Sequence, residues 1–419
     1  MSGKKRYWMI VALAAAVMMM LPGQALAGKV FKLGVLGPFT GPSAKTGAEF
    51  KGSVKMAMEK IGYKIGDYKI ELVWIDSQSD PAKATSAYSE ACERAGIQAG
   101  VLNWHSSVAI AVMEVAAQYK VPHFFGFGAA EVINEKWHKD KKYHYWGGKG
   151  WPVPGKLMAG YVDCLNYAVK QGKLDKNNKT VAIYGEDSDW GRSVGKAFRE
   201  RFTATGWKVI SEDYFPLTQT DFYPLLSKYK KAGVAVVAGT STSPPSISAF
   251  VKQASEVGLK ATIVADGLGW IGDWYKLTGN GSNYVLDMIP QLTTKKSREW
   301  AKEVKAKFGY NPSPSSGGLS YDGINFMIKL LKRTLEREGK LDKESVYKVM
   351  IDEVNTGKLT YTKADGAIIM NKYQYTPETM PDMVLGPGAY FFPVIQYMNG
   401  KGAIVYPRDW ATKEFEVKK

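Results

Sequence analysis

Cysteine and histidine are scarce in this chain, with 2 cysteines and 4 histidines among 419 residues. Two cysteines form at most one disulfide, so disulfides do not hold the fold together. Cys92 and Cys164 fall in helical patterns of different parts of the chain, which favours two buried thiols over a bridge. His138 and His144 are spaced wrongly for one helix face, and no thiol lies near them. We therefore predict neither a metal nor a cofactor.

Several enzyme motifs are also missing. The chain has no G-x-S-x-G elbow and no G-x-x-x-x-G-K-[ST] loop, and Gly34–Gly37 is only a weak relative of the dinucleotide fingerprint. His105 precedes Ser106 and Ser107, but neighbours in sequence rarely have the spatial apposition that a Ser–His pair needs. We expect a protein that is not an enzyme.

Long hydrophobic runs are confined to the N-terminus. The run Trp8–Leu21 is about 14 residues, whereas a membrane span needs roughly 20. It follows the basic residues Lys4–Arg6 and precedes Ala25–Ala27, which fits a small-x-small cleavage site. The pattern predicts a signal peptide over residues 1–27, with an uncleaved anchor as the alternative. Gly28 would become the new N-terminus and carries no thiol for a lipid, so we expect a freely soluble exported protein.

The net charge is +16, yet the basic residues are not clustered. They alternate with acids, as in Thr293–Phe308, a pattern typical of a solvated helix face. We therefore expect no nucleic-acid partner. Loose association with an anionic membrane or partner stays open.

Strand and helix patterns alternate with short connections, which indicates an α/β protein with parallel sheets covered on both faces. The length favours two domains. In the first lobe we predict strands from Val30 and over Lys69–Asp76, Ala99–Trp104 and Val121–Phe127, and in the second over Thr180–Tyr184, Lys208–Ser211, Val234–Ala238 and Thr262–Asp266. The main predicted helices are Asp80–Ala95, Ser106–Tyr119, Trp190–Thr205, Asp221–Ala232, Pro245–Val257, Lys295–Phe308, Gly317–Glu338 and Lys343–Val354.

The domain organisation follows from these elements. Lys141–Pro154 is aromatic, glycine-rich and aperiodic, which is typical of a crossover between lobes. We predict a first lobe of residues 28–145 plus 291–360 and a second of residues 146–290 plus 361–419. The segment Tyr375–Tyr397 has no clear place.

Ligands of open parallel sheets bind at the carboxyl ends of the strands. That rule selects the segments 37–46, 76–80, 104–107 and 126–131 in the first lobe, and 186–191, 239–244 and 266–270 in the second. They contain hydroxyls, aromatic rings, a few acids and the amides of helix starts. This set suits the binding of a small polar molecule better than catalysis.

The same segments resemble a known family. They include GPFTGPSAKTG (37–47), HSSVAIAVMEVAAQYKVP (105–122), FGFGAAE (125–131), EDSDWG (186–191), FVKQASEVGLKATIVADG (250–267) and SYDGINFMIKLL (320–331). In this order and spacing they resemble the periplasmic substrate-binding proteins of ABC importers, specifically the Leu/Ile/Val-binding, or type I, family. The resemblance covers nearly the whole chain after the predicted signal peptide.

The resemblance implies two Rossmann-like lobes with parallel central sheets, joined by a three-strand hinge and closing on a ligand. It implies a monomeric periplasmic receptor that captures a small amino acid, branched-chain or otherwise apolar or aromatic, or a related carboxylate. The receptor would deliver it to the permease subunits of an ABC importer. A ligand-sensing protein for a membrane receptor, and a binder of a non-amino-acid aromatic or short-chain carboxylate, are the alternatives.

Site residues follow from the matched motifs. Ser106 or Ser107, with the backbone of Gly128 and Ala130, would hold the ligand carboxylate at helix N-termini. Asp266 would pair with a ligand ammonium group.

Further residues would shape the pocket. Trp190 would form an aromatic wall, Tyr321 lies in the matching helix, and Thr46 and Ser243 lie in the loops around the cleft. The family often has threonine at the position of Ala130, so one hydroxyl is lost here. The tryptophans Trp104, Trp146, Trp151 and Trp190 either line a cleft for a larger apolar or aromatic group or pack in the core and hinge.

Overall fold

The computed structural model describes residues 28–418. The predicted signal peptide, residues 1–27, lies outside the described residues. Within the described part, no helix combines the length and apolar character that crossing a bilayer requires.

The first lobe is built on a five-stranded sheet. Its strands are β1 (Lys29–Gly37), β2 (Lys64–Ile65), β3 (Tyr68–Asp76), β4 (Ala99–Val101) and β5 (His123–Phe124), in the spatial order β2-β3-β1-β4-β5. All neighbours pair in parallel except β2 and β3. The last strand is shorter than predicted, because the chain beyond Phe124 leaves the sheet and pairs with residues 148–150 instead.

Four helices follow these strands: α1 (Ala44–Lys60), α2 (Pro81–Glu90), α3 (Ser106–Tyr119) and α4 (Glu131–Lys139). The Asp80-Pro81 start is confirmed: the Asp80 carboxylate accepts the Lys83 amide at 2.9 Å, and proline occupies the first helical turn, where its missing N–H has no cost. A π-helical turn over Ala91–Ala95 continues α2 to the predicted end.

The second lobe repeats the pattern. Its parallel strands are β6 (Thr180–Glu186), β7 (Lys208–Phe215), β8 (Val236–Thr240), β9 (Thr262–Asp266) and β10 (Leu286–Met288). Its helices are α5 (Pro154–Lys170), α6 (Asp189–Ala204), α7 (Tyr223–Ala232), α8 (Pro244–Glu256) and α9 (Trp274–Thr278).

The chain then returns to the first lobe with α10 (Lys295–Phe308), α11 (Ser320–Glu338) and α12 (Lys343–Val349). Helix α11 packs along α1. Strands β11 (Tyr361–Thr362) and β12 (Lys372–Tyr373) form a separate hairpin, tied to α11 because Asp322 accepts the amides of Ile368 and Ile369.

The segment Tyr375–Tyr397, which the sequence did not place, leads to the edge of the second sheet. Residues 374–393 lead from the hairpin to β13 (Val394–Met398), which pairs antiparallel with β10, and β14 (Lys401–Tyr406) forms the edge of the second sheet. The order of that sheet is β14-β13-β10-β9-β8-β6-β7. Three connections therefore join the sheets, near residues 147–153, 289–294 and 374–393. The exact lobe boundaries stay a prediction.

A buried ion pair fastens two of these connections. Lys149 and Asp382 are 0% and 1% exposed, and their Nζ and Oδ1 atoms are 2.8 Å apart. Lys149 also donates to Asn134 at 2.6 Å, and Lys156 contacts Asp382 at 3.0 Å. A buried charge is tolerated only with such partners, so this cluster fixes the first connection against the tail.

Both cysteines are free thiols, as predicted. Cys164 is buried, but Cys92 is only half-buried. Burial raises the pKa of each thiol to about 12.

Candidate functional site

A small cavity of about 20 Å³ lies where the carboxyl ends of the two parallel sheets face each other. It is lined by Trp104, Ser106, Phe127, Trp151, Trp190, Thr242 and Trp270. Six of these residues directly follow a strand or begin the next helix, whereas Trp151 belongs to the first connection between the lobes. The position agrees with the rule for ligand sites in open parallel sheets.

Trp270 is the centre of the aromatic wall. Its ring centroid lies 5.2 Å from that of Trp104 and 5.6 Å from that of Trp151, with interplanar angles of 90° and 84°. The Trp190 ring lies 6.0 Å away. Edge-to-face pairs of this kind stabilise aromatic clusters beyond simple burial. The wall offers large, rigid apolar surface to a ligand.

The four indole N–H groups differ in their partners. Trp190 donates to the Thr240 hydroxyl at 3.1 Å, and Trp104 donates to the Thr242 carbonyl at 3.3 Å. The Nε1 atoms of Trp151 and Trp270 are buried and have no hydrogen-bond partner among the described residues. An unsatisfied buried donor costs about 1–3 kcal/mol, so a ligand that brings an acceptor oxygen to either group gains affinity.

Thr242 joins the lobes. Its carbonyl accepts the Ser43 hydroxyl at 2.8 Å as well as the Trp104 indole. Its hydroxyl donates to Glu186 Oε2 at 2.7 Å and lies 3.1 Å from His105 Nδ1. Glu186 of β6 and His105 of the first lobe therefore meet at one side chain beside the cavity.

The two ionisable groups around Thr242 are buried, and burial disfavours the charged form of each. Burial raises the pKa of Glu186, although the Ser188 hydroxyl and the Thr242 amide and hydroxyl oppose the shift. Burial lowers the pKa of His105 to about 3, so this imidazole is neutral at ordinary pH. The residues that line the cavity carry no formal charge. The site thus favours a ligand that is held by rings and hydrogen bonds rather than by a salt bridge.

The groups predicted to grip a ligand carboxylate are hydrogen-bonded within the protein. The Ser106 hydroxyl oxygen accepts the amides of Ala129 and Ala130, both at 3.0 Å, and the Gly128 amide donates to Asn103 at 2.9 Å. What Ser106 can offer a ligand is its own hydroxyl hydrogen. Ser107 is half-buried, and its oxygen accepts the Asp189 amide of the second lobe at 3.4 Å.

Asp266 lies behind the cavity wall rather than on it. Its carboxyl group accepts the Tyr161 hydroxyl at 2.9 Å and lies 3.4 Å from the Thr240 hydroxyl. Burial, and secondarily repulsion by Asp287, raises its pKa well above the usual range. Burial thus disfavours the charged form that a ligand ammonium would need as its partner.

The remaining predicted site residues do not line the cavity. Tyr321 packs 5.6 Å from Trp300, and its hydroxyl accepts Lys60 at 2.9 Å. Thr46 and Ser243 are buried beside the cleft, and the Thr46 hydroxyl has no partner among the described residues. Sequence reasoning missed Phe127, Thr242 and Trp270. All three fall in the selected post-strand segments, but nothing in the sequence ranks residues within a segment.

Among residues 28–418 the structure brings together no group of three or more histidine, cysteine or acidic side chains with the arrangement of a metal site.

Comparisons with known proteins agree with this architecture. The family model described as periplasmic binding protein matches residues 30–376. Leu/Ile/Val-binding protein homolog 6 of Brucella suis is 27% identical over 336 residues, which are 77% of this chain and 81% of the relative.

Solved structures show the same fold. One is a solute-binding protein of an ABC transporter from Rhodopseudomonas palustris, in complex with 3,4-dihydroxybenzoic acid. Its TM-score to this chain is 0.71 at 23% sequence identity, and the match covers 89% of this chain and 95% of that protein's chain. A branched-chain amino acid ABC transporter protein from Thermus thermophilus with bound valine has a TM-score of 0.71 at 18% identity, with coverage of 91% and 96%. The chain therefore belongs to the periplasmic binding protein family and has the two-lobed type I fold of its Leu/Ile/Val-binding members.

Proposed function

We propose that this protein is a periplasmic solute receptor, which captures a small aromatic carboxylate by lobe closure and delivers it to an ABC importer. One observation carries the proposal: the uncharged cavity between the lobes is walled by Trp104, Trp151, Trp190 and Trp270. Domain closure works as a mechanism because a ligand that contacts both lobes favours the closed state by its differential affinity. No step of covalent chemistry is needed.

The polar side chains support a ligand without an amino group. An ionised acid at the cavity wall is the strongest partner for a ligand ammonium, but the lining residues include none, and Asp266 lies behind Thr240. Ser106, Thr242 and the indole N–H groups can instead serve ligand oxygens. The structural relative that holds 3,4-dihydroxybenzoic acid supports this ligand class by analogy.

An apolar amino acid is the second candidate. The relatives named as Leu/Ile/Val-binding proteins and the neighbour with bound valine favour it. Glu186 is the acid nearest to this role, because its carboxylate contacts Thr242 of the cavity wall.

A matched ligand pair separates the two candidates. 3-Phenylpropionate and phenylalanine differ only by the ammonium group, and isothermal calorimetry at pH 7 compares them directly, with 4-hydroxybenzoate and leucine as further probes. We expect 4-hydroxybenzoate and 3-phenylpropionate to bind and the two amino acids to bind at least tenfold more weakly. Tighter binding of phenylalanine or leucine would overturn the aromatic-acid assignment.

Delivery and location need separate tests. Export with cleavage after Ala27 is checked by N-terminal sequencing of protein recovered from the periplasm. Loss of uptake of the identified ligand in a deletion strain would support delivery, whereas normal uptake with a lost transcriptional or chemotactic response would favour the sensory alternative. Ligand recovered unchanged after long incubation is expected of a receptor, and light scattering should give the mass of a monomer.

A further inference from the structure

A second set of polar contacts joins the lobes away from the cavity lining. It involves Glu49 of α1 and the segment 311–316, which leads into α11 and packs on α1. Opposite them lies the loop Gly269–Gly272 of the second lobe, which carries Trp270. We call Glu49, Ser313 and Ser316, together with this loop, the latch.

Glu49 is the centre of the latch. Its Oε1 accepts the Gly272 amide of the second lobe at 2.9 Å. Its Oε2 accepts the Ser313 amide at 2.9 Å and the Ser316 hydroxyl at 2.8 Å. The side chain is 4% exposed, and no cation is among its contacts in the described residues. A buried acid in this setting is retained at a cost, which points to a role beyond packing.

The serines extend the latch to Trp270 itself. The Ser313 hydroxyl donates to the Gly269 carbonyl at 2.6 Å, and the Ser316 hydroxyl contacts the Trp270 carbonyl. The carbonyls of Gly269 and Trp270, which lie on either side of the Trp270 α-carbon, are thus held by the first lobe. The position of the central cavity tryptophan therefore depends on these contacts.

Gly272 shows how closely the two backbones approach. A Cβ atom at this position would lie 1.9 Å from the Asn311 carbonyl oxygen and 2.5 Å from the Pro312 carbonyl carbon. Only glycine fits such a contact. Asn311 also donates to Asp273 at 2.8 Å, on the neighbouring residue of the same loop.

We propose that Glu49 is a positioning residue for ligand capture, which holds Trp270 and the second lobe against the first lobe when the cleft closes. This inference rests on the proposed receptor function, but not on the class of ligand. Glu49 touches neither the cavity nor a ligand; it acts through the loop that presents Trp270.

The protonation state of Glu49 enters through Ser316. One hydroxyl hydrogen serves either Glu49 or the Trp270 carbonyl. When Glu49 is protonated it can donate to Ser316, which then donates to Trp270. Burial raises the Glu49 pKa to about 7, opposed by the Gly272 and Ser313 amides and the Ser316 hydroxyl, while Asp273 raises it further. Tyr310 also faces Glu49, and its own pKa is raised, first by burial.

The sign of the pH effect follows by linkage. In the closed form the pKa of Glu49 is about 7, whereas a hydrated Glu49 has the ordinary pKa of 4.5. The closed form therefore binds the proton more tightly. Closure is therefore favoured at low pH and weakens as pH rises through about 7. The pKa of His105 is lowered from its ordinary value of 6.5, so protonation of this group opposes closure below pH 6.5. Only the comparison with a Glu49 variant therefore isolates the pH effect of the latch.

The first experiment needs no ligand. Hydrogen exchange of the peptide around residues 268–274 is measured in wild-type protein, E49Q and E59Q. Glu59 lies on the same helix, half-exposed and paired with Lys307, which makes E59Q the matched control. We expect faster exchange in E49Q only, because glutamine has one acceptor oxygen in place of the two that accept the Gly272 and Ser313 amides, and its NH2 group cannot accept. Equal exchange in all three proteins would overturn the proposal.

The second experiment measures affinity for 4-hydroxybenzoate by calorimetry at pH 6 and pH 8.5. The ratio of wild-type to E49Q affinity should fall about tenfold from pH 6 to pH 8.5. This change is what linkage gives for a Glu49 pKa of about 7 in the closed form and 4.5 in the open form. The ratio of wild-type to E59Q affinity should stay constant. A constant wild-type to E49Q ratio contradicts the proposal.

Two further outcomes are distinguishable. If 4-hydroxybenzoate does not bind to wild-type protein, the proposed ligand class fails, and hydrogen exchange still decides on the latch. If E49Q does not fold, G272A tests the same contact from the second lobe, where its added Cβ meets Asn311. G272A should accelerate exchange in residues 268–274, and unchanged exchange would overturn the latch.

Discussion

The indole N–H of Trp190 donates to the Thr240 hydroxyl at a distance of 3.1 Å. That hydroxyl in turn lies 2.9 Å from the Asp266 carbonyl and 3.4 Å from its carboxyl group. Thr240 thus separates the ring at the cavity wall from the acid behind it. Asp266 orients the wall through Thr240 and has no direct route to a ligand.

This arrangement predicts that Asp266→Asn barely changes the affinity for an aromatic carboxylate. The amide replaces a carboxyl group that lies behind Thr240 and whose charged form burial disfavours, so calorimetry should show less than a threefold change. A loss of about 2 kcal/mol or more, as expected for a broken buried charge pair, would instead show that Asp266 meets a ligand ammonium.

The same acid should govern how stability depends on pH. Burial raises the pKa of Asp287 to about 6 and that of Asp266 well above its usual range. A raised folded-state pKa gives stability that is present below the unfolded value, near 4, and lost as pH rises through the folded value. Urea unfolding should show a decline in free energy between about pH 4 and pH 6, shallower in D266N than in wild-type protein. An equal slope in both would contradict this assignment.

Trp270→Ala should weaken ligand binding at least tenfold. The substitution removes the ring that contacts the three other cavity tryptophans, and loss of a buried aromatic costs about 3–5 kcal/mol in packing. Trp410→Ala is the control, because that ring is 40% exposed. Trp270→Phe should recover part of the affinity. Titration by calorimetry measures all three variants, and normal affinity of W270A would remove Trp270 from the site.

Thr242→Val should weaken ligand binding by about 1–2 kcal/mol, since it removes the hydroxyl between Glu186 and His105 without changing side-chain shape. The exposed Thr218→Val serves as the control. Competition binding with a bound probe provides the measurement. Equal affinities of both variants and wild-type protein would mean that only the Thr242 carbonyl matters.

Lys149→Met should destabilise the protein by about 3–5 kcal/mol, because it leaves Asp382 buried with one fewer cation. The double variant K149M/D382L removes both charges and should recover much of that loss. Chemical unfolding compares the two. A single variant as stable as wild-type protein would show that Lys156 alone compensates Asp382.

The sequence predicted the repeating fold well and the site only in outline. Helices Ser106–Tyr119 and Lys295–Phe308 have the predicted bounds, because local periodicity determines them and a capping box of Thr294 and Ser297 begins the second. The segment Tyr375–Tyr397 resisted prediction because its partners, such as Lys149 and β10, are distant in sequence. Trp270 and Thr242 could not be singled out, since their roles depend on contacts between lobes. Asp266 ends its strand as predicted, but which side of the wall it occupies is a tertiary property.

The tryptophan wall has one more consequence. Three indoles, from both lobes and the hinge, each contact the Trp270 ring, so the protein carries its own optical reporter of closure. Ring pairs at 5.2–6.0 Å couple their electronic transitions, and the coupling depends on the angles between the rings. A ligand that enters between them should change the intrinsic fluorescence and the near-ultraviolet circular dichroism together. Capture can therefore be followed in real time without any label.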